Sequence, residues 1–95
     1  MIPENIERKQ VLQAIEEVKR TGIPEKRNSK KFLIKFEDGY FPPKFVISLA
    51  NKYANGEELN PAGFSGGRES NDFLRALGFE IFDVKSLERT FSRAS

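Results

Sequence analysis

The chain has no cysteine and no histidine. Without cysteine there is no disulfide to staple a small fold and no thiolate to attack a substrate or bind a metal. Without histidine, the usual zinc ligand and the commonest general base near neutral pH are missing as well. Long apolar runs are also missing: no stretch approaches the ~18 residues of a membrane-spanning helix, and no charged-then-apolar leader opens the chain. These absences predict no membrane partner, no cofactor and a cytoplasmic location. Neither sign of charge dominates, since 16 Lys and Arg face 14 Asp and Glu for a net charge of +2. Any basic surface must therefore come from local distribution, not from the sum.

What is present suits one small domain. The chain has 95 residues, 38% of them hydrophobic, with nine Phe. Burying each Phe contributes roughly 1.5–3 kcal/mol, so a few of them decide whether so short a chain folds unaided. From Glu4 to Thr21, Val11, Ile15 and Val18 recur at helical spacing, with Lys19 and Arg20 at the end that the helix dipole favours and Gly22 and Pro24 as the stop. The loop Pro24–Lys31 carries Lys26, Arg27, Lys30 and Lys31. Phe32–Phe36, a Glu37-Asp38-Gly39 turn and Tyr40-Phe41 read as a hairpin. Pro43 suits the first turn of a helix that runs to Asn55 and stops at Gly56. Leu59 and Phe64 pin the next connection to the core. A third helix spans about Gly67–Leu77, with Phe73, Leu74 and Leu77 buried, Gly78 as cap and Phe79 packed back; a strand over Phe79–Val84 follows.

The order αββααβ predicts the α+β class, a small, mainly antiparallel sheet packed with three helices in one domain over residues 1–84. Two consecutive helices and a strand also fit a helix-turn-helix with a wing, although the Gly56–Gly66 connection is long for that motif. Residues 85–95 form a polar tail, a short helix or a linker.

Three features bear on function. Phe64-Ser65-Gly66-Gly67-Arg68 lies directly before a helix, where backbone N–H groups and Arg68 can hold an anion such as phosphate; equally, Ser65 can be a simple N-cap and the glycines a tight entry. Lys30, Lys31, Lys35, Lys44 and Lys52 interleave with Tyr40, Phe41 and Tyr53, which suits a phosphate backbone and unpaired bases, though solvated lysines are ordinary. Lys44 sits at a helix start, against the dipole. Asn51, Arg68, Asn71 and Arg75 form the third set; the last three fall at i, i+3, i+7, expected to project together opposite Phe73 and Leu77, with side chains able to read base edges or simply to be solvated. Catalysis finds little support. Glu16-Glu17 and Glu57-Glu58 are adjacent pairs that do not face each other, and no enzyme activity is expected.

The run Tyr40-Phe41, Lys44, an apolar helix with Ala50, Tyr53 and Ala54, then Gly56, Leu59, Phe64-Ser65-Gly66-Gly67, Leu74 and Leu77-Gly78-Phe79 resembles the N-terminal head domain of McrA-like, modification-dependent HNH endonucleases and related restriction-associated modules. The match covers about Tyr40–Ile81. It implies a DNA-associated accessory domain whose functional candidates are Lys44 and the Ser65–Arg68 turn. Cleavage in that family belongs to a separate His-rich module, and recognition of modified bases belongs at least in part to others. The resulting expectation is a domain that binds duplex DNA mainly through phosphates, alongside a nuclease or other restriction-system partner. Gly66 and Gly67 would offer N–H groups, Lys44, Arg68 and Arg75 charge, Asn71 a base contact, and the Pro24–Lys31 loop, Lys30 and Lys31 above all, non-specific attraction. The alternative is a protein-interaction or scaffolding module with an apolar patch at Phe82, Val84, Leu87 and Phe91.

Overall fold

The computed structural model describes residues 1–28 and 31–84. Three helices and one three-stranded antiparallel sheet follow in the order αββααβ, α1 at Arg8–Thr21, β1 at Phe32–Phe36, β2 at Gly39–Phe41, α2 at Pro43–Asn55, α3 at Arg68–Ala76 and β3 at Glu80–Asp83. Short 3-10 turns at Glu25–Arg27 and Pro61–Gly63 punctuate the two long connections. The fold class is α+β, as expected. Lys30 and the patch residues Leu87 and Phe91 lie outside the described residues, as does the rest of the tail over 85–95.

The first helix starts later than its pattern suggested, at Arg8 instead of Glu4. Ile2 and Ile6 are both buried, and the segment before Arg8 must turn to deliver both to the core. Glu7 is the N-cap, and its backbone N–H donates to Gln10 Oε1 at 2.8 Å, one arm of a capping box. Ile6 before the cap and Val11 in the first turn, both buried, occupy the two positions of a hydrophobic staple. Arg8 then reaches across the molecule: its Nη1 donates to Leu77 O at 2.8 Å and its guanidinium lies 4.4 Å from the Phe79 ring centroid. A side chain at residue 78 would meet that guanidinium at 2.9 Å, and the backbone there has φ +90, so the position takes glycine on both counts.

The strand order is β2-β1-β3, with Ile34 opposite Phe41 on one side and Ile81 on the other. Strand alternation sends these three inward, and Ile34 is fully buried among Val11, Ile15, Val46, Ile47 and Leu74 of the helices. Leu33, Lys35, Tyr40 and Phe82 fall on the opposite face, where the Tyr40 and Phe82 rings lie 6.0 Å apart. Helices α1 and α2 pack together and form the main helical contact. Between α2 and α3, the long connection from Gly56 to Gly67 replaces the roughly three- or four-residue turn of a helix-turn-helix. It is pinned as expected: Phe64 is buried, Leu59 packs against the core, and Leu59 N–H donates to Ser48 O at 3.1 Å.

Candidate functional site

Lys44 occupies the second position of α2, immediately after Pro43, and is half-buried. Its ammonium donates to Pro61 O at 2.5 Å and lies 4.8 Å from the centroid of the Phe64 ring. The unfavourable position at a helix start is thus offset by a carbonyl and a ring face from the next connection. Gly66 lies against the Lys44 stem so closely that a Cβ there would sit 3.2 Å from Lys44 Cδ. Gly67 is the N-cap of α3 with φ +61 and ψ −121, a conformation that side-chain-bearing residues avoid. The backbone N–H groups that follow have no intrahelical acceptor, as at any helix start.

Ser65 does not cap the helix; Gly67 does. The Ser65 N–H instead donates to Glu69 Oε1 at 2.8 Å, and Ser70 Oγ donates to Ser65 O at 2.6 Å. That N–H bond is the main reason Glu69 is held below its ordinary carboxylate value. Ser65 is therefore committed to holding the turn, and its donors are already used by an internal anion.

The two glycines and Lys44 form one wall of a cleft of about 620 Å³. A second wall comes from the loop before β1, which contributes Lys26, Arg27 and Lys31, while half-buried Phe32 and exposed Pro61 supply apolar surface. Among the described residues, four cationic side chains line the cleft and no acidic one does. Lys26 and Lys31 are exposed. Arg27 is half-buried, with its guanidinium 5.0 Å from the Phe45 ring centroid and an Nη2 that is buried without a hydrogen-bond partner among the described residues. A buried, unpartnered guanidinium nitrogen is costly, and it marks this wall as one where a donor is unused.

Of the residues expected to act together, Lys31, Lys44, Gly66 and Gly67 do meet. Arg68 and Arg75 do not line the cleft. They lie on the outer face of α3, each 3.6 Å from a carboxylate oxygen of Asp72, and the Arg68 side chain is 96% exposed. Asn71 does not project with them, because it is 3% exposed and its Oδ1 is buried without a partner among the described residues. The reason is the helix period: Ser70 and Asn71 stand four and three residues before fully buried Leu74 and so share its inward side. Asn51 is internal too, donating from Nδ2 to Glu57 O at 2.8 Å and accepting from Asn55, which secures the end of α2.

Among the other lysines, Lys52 is paired with Glu17 at 2.6 Å, and Tyr53 OH donates to the same carboxylate oxygen at 2.7 Å. Lys35 donates to Glu37 O. Phe41 is part of the core. The cleft-lining cations not singled out individually from the sequence are Lys26 and Arg27, which looked like loop charges adding general attraction. Their signal was the density of positive charge between Pro24 and Lys31, but only the 3-10 turn at Glu25–Arg27 aims that segment at Lys44.

Among the described residues no group of three or more Asp or Glu could hold a metal ion, and no helix is long and apolar enough to cross a membrane. A family model, that of the ScoMcrA-like N-terminal head domain, matches residues 4–83. No curated protein and no solved structure matches the chain.

Proposed function

Because the chain belongs to the ScoMcrA-like N-terminal head domain family, we propose that it is a non-catalytic DNA-binding module of a type IV restriction system, acting inside the cell beside a nuclease partner. In this reading, duplex DNA is held through phosphate oxygens in the basic cleft. The observation that carries the proposal is that Lys26, Arg27, Lys31 and Lys44 line one cleft with the Gly66–Gly67 turn, with no carboxylate among the described lining residues. Phosphates are the anions such a surface suits, because cations and helix-start N–H groups act together on them. Arg68 and Arg75, exposed on α3, add long-range attraction at the edge of this surface.

Titrating a short duplex into isotopically labelled protein tests the placement. The amide resonances of Lys31, Phe32, Gly66 and Gly67 should shift first. Shifts confined to the Leu33, Tyr40 and Phe82 face of the sheet would refute it. That face supports a second reading, a protein-docking module, because Tyr40 is 42% exposed beside the Phe82 ring. Phe82 and Val84, half of the patch expected there, are half-buried. A mass in light scattering that stays monomeric at all concentrations would count against self-association through it.

A further inference from the structure

The cleft is larger than phosphate binding alone requires. A phosphate takes only a few times the ~30 Å³ of a liquid water, and would leave most of 620 Å³ unfilled. The remaining space is bounded by Phe32 and Pro61, surfaces that offer nothing to an oxyanion but suit a flat ring. Charge and apolar surface are both contributed to the same cleft. The cations and the Gly66–Gly67 backbone are suited to a phosphate, while half-buried Phe32 and exposed Pro61 are suited to the planar group attached to it. Arg27 belongs to both sets, since a guanidinium carries charge, donates in a plane and stacks. Its buried, unpartnered Nη2 gives it a donor to gain from a ligand that draws the side chain round.

We propose that this cleft receives one unpaired nucleotide of a DNA strand, with its phosphate at Lys31, Lys44 and the glycine turn and its base against Phe32 and Pro61. The inference rests on the DNA-binding reading above and sharpens it: the preferred ligand is a duplex that presents a single extrahelical nucleotide, rather than a perfectly paired one. A base in a paired stack cannot enter the cleft, so a continuous duplex would engage only its cationic side chains.

Fluorescence anisotropy with two labelled duplexes, identical except for one central unpaired nucleotide, tests this at fixed salt. Tighter binding of the unpaired form by about tenfold is expected, in the range that a single base-on-aromatic contact supplies. As competitors, dCMP should displace the labelled duplex at lower concentration than inorganic phosphate. Phe32→Leu, which keeps an apolar side chain but removes the ring, should bring the ratio of the two duplex affinities towards one. If that variant does not fold, Pro61→Ala on the exposed rim should lower the same ratio. Equal affinity for the two duplexes, or dCMP competing no better than phosphate, overturns the nucleotide inference and leaves phosphate binding standing. Failure of both duplexes to bind at low salt overturns the DNA-binding reading as well.

Discussion

Gly66 and Gly67 are neighbours in the chain, but replacing each by alanine should have opposite consequences. At Gly67 a Cβ would meet nothing within 4 Å, so space is not limiting, and the cost is the backbone at φ +61 and ψ −121. Holding a side-chain-bearing residue in so sparsely populated a region costs on the order of 1–3 kcal/mol. With about 4–8 °C per kcal/mol for a domain of this size, a central value of about 2 kcal/mol lowers Tm by roughly 8–16 °C. Gly66 has an ordinary φ, and its added Cβ would press on Lys44 Cδ at 3.2 Å, a methylene of a flexible stem. Thermal unfolding followed by circular dichroism should therefore show Gly67→Ala clearly destabilised and Gly66→Ala within about 1 kcal/mol of the parent. Gly66→Ala should instead weaken DNA binding, because it displaces Lys44 within the cleft. A Gly67→Ala protein as stable as the parent, or a Gly66→Ala protein less stable than Gly67→Ala, would refute this account of the turn.

Two further outcomes follow from the core and from the pairing of α1 with α2. The Lys52 and Tyr53 hydrogen bonds hold Glu17 below its ordinary carboxylate value, so its contribution is present above the unfolded-state pKa and is lost as pH falls through the lower folded one. Glu17→Gln should remove that acid-side part of the Tm against pH profile, and an unchanged acid limb would count against it. The same contacts raise Lys52 and Tyr53, so their contribution is present below their unfolded-state values and fades as pH rises through the folded ones. Leu74 is fully buried where α3 meets the core, and Leu74→Ala should cost about 2–5 kcal/mol in chemical denaturation. A loss below about 1 kcal/mol would mean that α3 is not docked as described.

The helices, the hairpin and the sheet strands were legible because the pattern is local. Pro43 opens α2, Gly56 and Gly78 close helices, and Phe32–Phe36 precedes a tight turn, so each boundary has its own steric cause. The start of α1 was misplaced because Glu4 and Glu7 both suit a first turn; only the need to bury Ile2 and Ile6 separates them. Asn71 was misread for a related reason. In a helix of nine residues with few apolar positions, its inward side is set by Leu74, and Ser70 and Asn71 go with it despite being polar. The lining of the cleft was legible in half. Lys44 and Gly66–Gly67 carry local signals, a cation at a helix start and a glycine pair before one. The approach of Lys26 and Arg27 to them depends on how the loop before β1 folds back, and nothing in the spacing of those residues encodes that distance.

The central claim is that phosphate contacts are made in the cleft, and the salt dependence of duplex binding tests it most directly. The logarithm of the binding constant should fall linearly with the logarithm of salt concentration, with a slope of about 0.9 for each phosphate neutralised. Replacing Lys31 or Lys44 by alanine should each lower that slope by about one, while Lys52→Ala, whose charge is already paired with Glu17, should leave it unchanged. Binding with an unaltered slope in both cleft variants, or no binding to any duplex at low salt, would contradict the account.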